Sequence, residues 1–407
     1  MTTQRSPVTL VTLDLDSPSL AVTSTDPGAR IWVEVTRQGQ ILGVLETVAA
    51  ESGLSQTFVD RIISDYSTFE LSPFLSFPDD LLPRVSIVVP TAYRRADHLM
   101  RTVSSLMDLD YPDYEIIVVD NRRGFGHAPM TEFDDFERVR VETEPVKGGS
   151  SARNRGIACA TGEIIAFTDD DVLVDRNWLR ALAVAFTKNP DIDAIGGMVR
   201  PSELETEPQL WFEEFYGGFT RQYMPKTWSA ALVGDSDPLF PYAAGHYGAG
   251  CNMALRRTSL ERYGTFNVNL GIGTKSRGAE DLEVFMKVIL GGGTVAFEPT
   301  AIVRHTHRET IDDFMKQVRG YGTGLSAMYT SFILDDPRHA WEIMKRLPQG
   351  IRLLVHAGEQ RSPSERTCYP RRTQMEQFLG LAYGPFAYLW SVWDMHRTVE
   401  RMDRERR

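Results

Sequence analysis

Val85-Ser86-Ile87-Val88-Val89-Pro90-Thr91 is a short run of mostly β-branched residues that ends on a proline and a hydroxyl. A stretch this short and this apolar suits a strand buried on both faces, as in a parallel sheet. Outward from it, residues 94–109 carry apolar side chains at helical spacing, and 114–119 form a second buried strand that ends on Asp120-Asn121. Residues 151–160 have helical character, and 163–168 form a third strand that runs into Asp169-Asp170-Asp171. A helix over 177–187 and a strand over 194–199 continue the alternation. Strands alternating with helices predict a doubly wound α/β domain. Ligands of such sheets bind beyond the carboxyl ends of the strands. Pro90-Thr91, Asp120-Asn121 and the triple Asp all fall there.

The flanks differ in character. Residues 1 to about 30 are rich in Ser, Thr, Pro and Asp and are expected to be partly mobile. Residues 31–35 alternate as a strand does, Gln38-Gly39-Gln40 forms a turn, and 41–45 return, which predicts a hairpin. A helix over 55–66 with Ser55 as its cap completes a small α/β unit. Pro73, Pro78 and Pro83 punctuate a linker. Beyond about Glu309 the chain turns helical, over 312–329, 339–355 and 374–401. The expected organisation is a small α/β unit with linker over 1–83, an α/β domain over 84–325, and a helical region over 326–407.

Composition narrows the function. The formal net charge of −11 does not suit general nucleic-acid binding, which needs clustered positive charge. Cys159, Cys251 and Cys368 are far apart, with no CxxC pair, so neither a disulfide framework nor a structural zinc site is expected. A reducing, cytoplasmic setting follows. Residues 1–20 include acidic side chains and no apolar core of signal-peptide length, and no run of about 18 apolar residues occurs. Residues 378–393 are dense in aromatics and precede Arg397, Arg401, Arg404, Arg406 and Arg407. Such a segment suits peripheral contact with an anionic membrane, or packing against the domain or a second subunit.

Three adjacent carboxylates repel and need a compensating partner. A hard divalent cation, Mg²⁺ or Mn²⁺, is the natural one, with diphosphate oxygens completing its shell. On an extended segment Asp169 and Asp171 point the same way and Asp170 elsewhere. Lys147-Gly148-Gly149-Ser150-Ser151 leads into a helix carrying Arg153 and Asn154, a local chemistry that favours anions. Glu280 and Asp281 are a second acidic pair. On a helix they point about 100° apart, so they serve different tasks.

In order and spacing, Val85–Thr91, Ile116-Ile117-Val118-Val119-Asp120-Asn121, Ser151-Ala152-Arg153-Asn154-Arg155-Gly156, Phe167-Thr168-Asp169-Asp170-Asp171 and Gly278-Ala279-Glu280-Asp281 resemble the family 2 glycosyltransferases, which have the GT-A fold. The resemblance spans about 85–325. It implies a Rossmann-like catalytic domain with a mixed sheet and transfer of a sugar, with inversion, from a nucleotide diphosphate donor. Asp120 matches the residue that holds the donor base, typically uracil, so the implied donor is UDP- or dTDP-linked. Pro90, Thr91 and Arg94 border the nucleoside, while Gly148, Arg153, Asn154 and Asp170 line the donor pocket. Asp169 and Asp171 match the metal-holding DxD motif, with His305 as a further ligand and His307 a weaker candidate. Asp281 matches the general base, beside Glu280. Gly248 to Ala254 resembles a strand lining the sugar, and Trp211, Phe212, Phe215 and Tyr216 are candidates for an acceptor platform.

Two departures stand out. The Gln-x-x-Arg-Trp motif of processive synthases is missing, which points to non-processive transfer. The loop after the second strand reads Asn121-Arg122-Arg123-Gly124, where relatives more often have small polar residues. Competing readings are a nucleotidyltransferase, disfavoured by the absence of a Gly-rich loop after the first strand, and a nucleotide-sugar-binding scaffold without catalysis, which would be expected to lose Asp281.

Overall fold

The computed structural model describes residues 7–17, 26, 28–50, 53–67, 74–124, 126–220, 222–233, 239–356 and 371–405. The N-terminal unit is a three-stranded sheet of β1 (Val8–Asp14), β2 (Arg30–Arg37) and β3 (Gln40–Val48), with α1 (Gln56–Tyr66) against it. β2 and β3 form the expected hairpin. Gln38 and Gly39 turn it with φ of 47° and 74°, the paired positive dihedrals of a tight primed turn. Ser55 caps α1 by accepting from the Phe58 amide. β1 corrects one expectation: part of the polar segment taken as mobile pairs in parallel with β2. Its Leu13 joins Ile31, Val33, Val59 and Ile62 in a small core, so apolar burial outweighs the polar composition around it.

The main strands are β4 (Val85–Thr91), β5 (Tyr114–Asp120), β6 (Val139–Thr143), β7 (Ile164–Phe167), β8 (Val172–Val174), β9 (Ala194–Pro201), β10 (Lys226–Trp228), β11 (Met253–Arg256) and β12 (Val295–His305). They form one sheet in the order β10-β12-β9-β11-β7-β4-β5-β6, with β8 paired to β12. β7, β4, β5 and β6 are parallel, whereas β11 runs antiparallel between β7 and β9. This is the mixed sheet that the resemblance implies. The intervening helices are α2 (Ala96–Met107), α3 (Gly149–Cys159), α4 (Trp178–Lys188), α5 (Glu207–Trp211), α6 (Ala230–Val233), α7 (Arg257–Tyr263) and α8 (Glu280–Leu290). β4 is buried on both faces, as its composition requires. Val85, Ile87 and Val89 meet Leu99 and Leu182 on one side, while Val88 packs with Ala152 and Phe285 on the other.

Asn252 ties the antiparallel insertion to the sheet. Its amide nitrogen donates to the Met198 and Ala301 carbonyls, both at 2.8 Å, and its oxygen accepts from Trp178 Nε1. These bonds sit at the register break between Glu298 and Ile302, where the β9–β12 ladder is irregular. Helices α9 (Ile311–Asp335), α10 (Arg338–His356) and α11 (Arg371–Glu405) make the helical C-terminal region. α9 runs unbroken through position 325. Gly322 on α9, with Gly380 and Gly384 on α11, lets the two backbones touch, since a Cβ at any of the three would collide with the other helix.

The N-terminal sheet is held to the main one by a buried charge. Glu34 on β2 accepts from Arg200 of β9 at 2.8 Å and from Arg304 of β12 at 2.6 Å, and these two arginines are register partners across the ladder. Burial pushes the Glu34 carboxyl up, but the two guanidiniums outweigh it and its pKa lies below the ordinary 4.5. The pair therefore contributes its full stability above pH 4.5 and loses it as the pH falls through the lowered pKa. Glu34→Gln leaves Arg200 buried without a counterion and is expected to cost about 3 kcal/mol at pH 7 in urea denaturation. The difference from wild type should shrink towards pH 3; a gap that widens in acid would contradict the assignment.

Candidate active site

Arg153 is the centre of the site. It projects from α3, is almost fully buried, and donates from Nη2 to Asp169 Oδ1 and from Nη1 to Glu280 Oε1, both at 2.8 Å. One planar fork thus joins the end of β7 to the first turn of α8. Burial disfavours its charge, but Asp169, Glu280 and Asp281 together keep the guanidinium protonated. The space around the fork is kept by glycines. A Cβ at Gly250 would press on Asp281 and Arg153 Nη2, and one at Gly271, where φ is 99°, on Ser150 and Glu280. Arg277 and Ala279, just before the acidic pair, are also left-handed, with φ of 69° and 68°. Non-glycine residues held this way carry backbone strain, which concentrates at functional sites.

The three aspartates separate. Asp170 Oδ2 accepts from Thr91 Oγ1 at 2.5 Å, so it points to the end of β4 and away from its neighbours' partners. Asp171 Oδ2 accepts from Arg95 at 2.6 Å, and its Oδ1 lies 3.6 Å from His305 Nε2. That proximity is set by strand pairing: β8 starts immediately after the aspartates, and its Val172 is the register partner of His305. Asp169 goes to Arg153, and burial raises its carboxyl to about 7 against the pull of that guanidinium. The expected cluster of Asp169, Asp171 and His305 is therefore not assembled. Among the described residues no three His, Cys, Asp or Glu side chains are grouped to hold a metal ion.

Asp171 and His305 nevertheless fit a cation as a pair. Glu213 accepts from His307 Nε2 at 2.7 Å, which leaves His307 Nδ1 as an acceptor. His305 Nδ1 lies 3.3 Å away and is the donor of that contact when His307 is neutral. His305 Nε2 then carries a lone pair facing the Asp171 carboxylate at 3.6 Å, too far for a hydrogen bond. Burial holds the His305 pKa down at about 4, so the ring is neutral. Two lone pairs that face each other across this gap suit a shared divalent cation. Phe212 packs edge-on against His307 and Phe219 against His305. Trp211 and Phe212 are buried with Phe314, and Phe212 stacks on Tyr216. These aromatics wall the histidine pair instead of offering an open acceptor platform; the Phe215 side chain lies outside the described residues.

Asp281 sits across Arg153 from the aspartates. Its Oδ2 accepts from the Gly250 amide at 2.6 Å and its Oδ1 from the Leu282 amide at 2.8 Å. Several expected donor contacts are already taken by protein groups and are corrected here. Gly148 N donates to Asn121 Oδ1, and Gly149 N donates to the Ile272 carbonyl, so these two amides are already engaged within the protein. Asn154 pairs in both directions with the Phe266 backbone, and Arg153 is bound as described. Each is drawn inward because a buried polar group needs a partner. Arg94 is exposed and Pro90 half-buried at the mouth of the site.

Asp120 has a partner that sequence reasoning missed. Arg122 donates to both of its oxygens, at 2.5 to 3.0 Å, and lies over the Tyr93 ring. Although burial raises the carboxyl, Arg122 outweighs it and the pKa falls. A cavity of about 640 Å³ opens beside Asp120, lined by His127, Met130, Phe133 and Arg140 among others. Arg95 and Glu213 were also missed. Nothing local distinguishes either from a surface charge; only strand pairing brings them to Asp171 and His307. The unusual Arg122 was the one visible signal.

Arg153→Met removes a cation shared by two buried carboxylates and should cost about 3 kcal/mol in chemical denaturation. Arg153→Lys should recover only part of this, because one ammonium cannot span both oxygens as the fork does. Wild-type stability in the Met variant would show that the carboxylates do not depend on Arg153.

Residues 86–264 match the model described as Glycosyl transferase family 2. A pre-mycofactocin glycosyltransferase of Mycobacterium tuberculosis is 27% identical over 243 residues, which are 58% of this chain and 46% of that protein. A glucosyl-dolichyl phosphate glucuronosyltransferase of Haloferax volcanii is 32% identical over 136 residues, 33% of this chain and 44% of that protein. The chain thus spans about half the length of these curated relatives. Among solved structures, a mannosyltransferase of Pyrobaculum calidifontis in complex with GDP-Man and Mn²⁺ is similar with a TM-score of 0.46 and 19% identity, covering 76% of this chain and 91% of that one. On this match, residues 86–264, from β4 to α7, form a family 2 glycosyltransferase domain.

Proposed function

We propose that this chain transfers a single sugar, with inversion, from a nucleotide diphosphate-sugar to an acceptor nucleophile, with Asp281 as general base. The observation that carries the proposal is the approach of Asp171 to Nε2 of His305 at 3.6 Å on one side of Arg153, with the amide-held Asp281 carboxylate on the other. In the transfer, an acceptor oxygen attacks the anomeric carbon while its proton passes to Asp281. The bond from that carbon to the diphosphate oxygen breaks, and the nucleoside diphosphate leaves with the electron pair. A Mg²⁺ or Mn²⁺ ion held by Asp171 and His305 would supply positive charge to the leaving diphosphate. Asp169 is reassigned from ligand to counter-charge of Arg153. Glu280 positions Arg153, while Glu213 and His307 orient the His305 ring from behind.

For the donor base, Asp120 supports uracil or thymine, whose ring N–H a carboxylate accepts. Arg122 occupies both oxygens of Asp120 and has to yield one of them on binding. Arg122→Ala is therefore expected to tighten UDP binding severalfold in calorimetry; weaker binding would mean that Arg122 itself contacts the nucleotide.

A thermal-shift screen of nucleoside diphosphates and nucleotide sugars, with and without Mn²⁺, tests the reading, because a ligand that binds the folded state raises its melting temperature. A metal-dependent rise is expected for UDP or dTDP donors, and no response to any of them would overturn it. Asp281→Asn should retain that rise but lose transfer by at least about 100-fold, whereas a non-catalytic scaffold would be unaffected. Glu213→Ala should weaken Mn²⁺ binding about tenfold.

A further inference from the structure

Helix α11 has two unlike faces. One is buried, through Thr373, Gly380, Gly384, Ala387 and Ser391, and its two glycines meet the α9 backbone. The opposite face carries Phe378, Leu379, Phe386, Leu389, Trp390 and Trp393, all between 45% and 69% exposed. Spacings of three and seven residues, with neighbours side by side at 378–379 and 389–390, place them in one stripe, which with Met375 extends about 27 Å along the helix. Among the described residues no helix is long and apolar enough to cross a membrane. The stripe is therefore a face to be covered and not a span.

Charge indicates what covers it. One to three turns beyond Trp393, the same face continues as Arg397, Arg401 and Arg404, all exposed. Glu400 is on this side and is paired with His396, and Asp394 stands at its margin. The two tryptophans carry cations on their rings: Arg397 lies 4.4 Å from the Trp393 centroid and Lys275 4.7 Å from that of Trp390. An otherwise acidic chain, with a net charge of −11, has thus gathered cations beside two exposed indoles of this face. Indole with a neighbouring cation suits the headgroup layer of an anionic bilayer, where the ring sits at the acyl boundary and the cation meets phosphate. A second copy fits less well, because it would bring another cationic face onto this one.

We propose that the α11 face docks this protein on the surface of an anionic membrane. Docking would bear directly on the site. Ser391 accepts from the Ser276 amide at 3.1 Å, and Lys275 stands on Trp390. The loop that leads into Glu280-Asp281 therefore lies against α11 at the edge of the stripe. The inference does not depend on which donor is used. It places the base end of the site next to the lipid surface.

Sedimentation of the full chain with vesicles of phosphatidylcholine alone, or with 30% phosphatidylglycerol, tests it. Binding is expected only with the anionic lipid, and it should fall steeply between low and high salt. Replacing Arg397, Arg401 and Arg404 with Gln touches only exposed groups and should weaken binding about 100-fold, at about fivefold per cation. Trp390→Ser with Trp393→Ser should also release the protein, with the melting temperature and UDP binding recorded to show that the fold persists. No binding at low salt overturns the proposal. So does a lipid-free dimer in analytical ultracentrifugation that the two Trp substitutions abolish, since a second copy would then cover the face.

Discussion

A buried guanidinium organises this active site. Arg153 takes no direct part in the proposed transfer, yet its fork decides where two acidic motifs stand relative to each other. Asp169 follows β7 and Glu280 opens α8, 111 residues apart in the chain. Without a shared cation their carboxylates would repel across a poorly solvated gap. With it, the repulsion becomes a clamp that closes the loop between α7 and α8 onto the strand ends. The glycines at 250 and 271 and the left-handed Arg277 and Ala279 are consequences: backbone has to pass close to the fork, and no side chain has room there. Asp281 inherits its position from this clamp, since α8 begins where Glu280 is held.

A second constraint runs through the two histidines. A metal ligand needs a lone pair at the right nitrogen, and a lone imidazole in a protein has two tautomers to choose between. Glu213 removes the choice at a neutral His307, and that His307 then removes it at His305. The π-helical turn Phe212–Tyr216, which delivers Glu213, packs on α9. The helical C-terminal region thus supports the proposed cation site from behind and carries the apolar face of α11 outside.

The fold was largely legible in the linear chain, because its core strands are short apolar runs between helices of clear periodicity. β4, β5, β7 and β9 emerged where expected, as did the β2–β3 hairpin and the three C-terminal helices. β1 did not, because seven residues inside a polar segment carry little pattern of their own and are fixed by their partner strand. β8 and β10 are three residues each and exist only as additions to β12. The separate direction of Asp170 was readable from the alternation of an extended segment. The destination of Asp169 was not.

The sequence by itself determined the chemistry available: which carboxylates, imidazoles and glycines stand at the ends of which strands, and the family to which that order belongs. Local pattern suffices there, since burial and periodicity act over a few neighbouring residues. Only the tertiary structure decided how those groups are paired. Arg153 was drawn to Asp169 and Glu280, Arg122 to Asp120, Arg95 to Asp171, and Glu213 to the histidines. A charge taken out of water has to find a counter-charge within a few ångströms. Which counter-charge is near is a property of strand order and register, which no local stretch of the chain records.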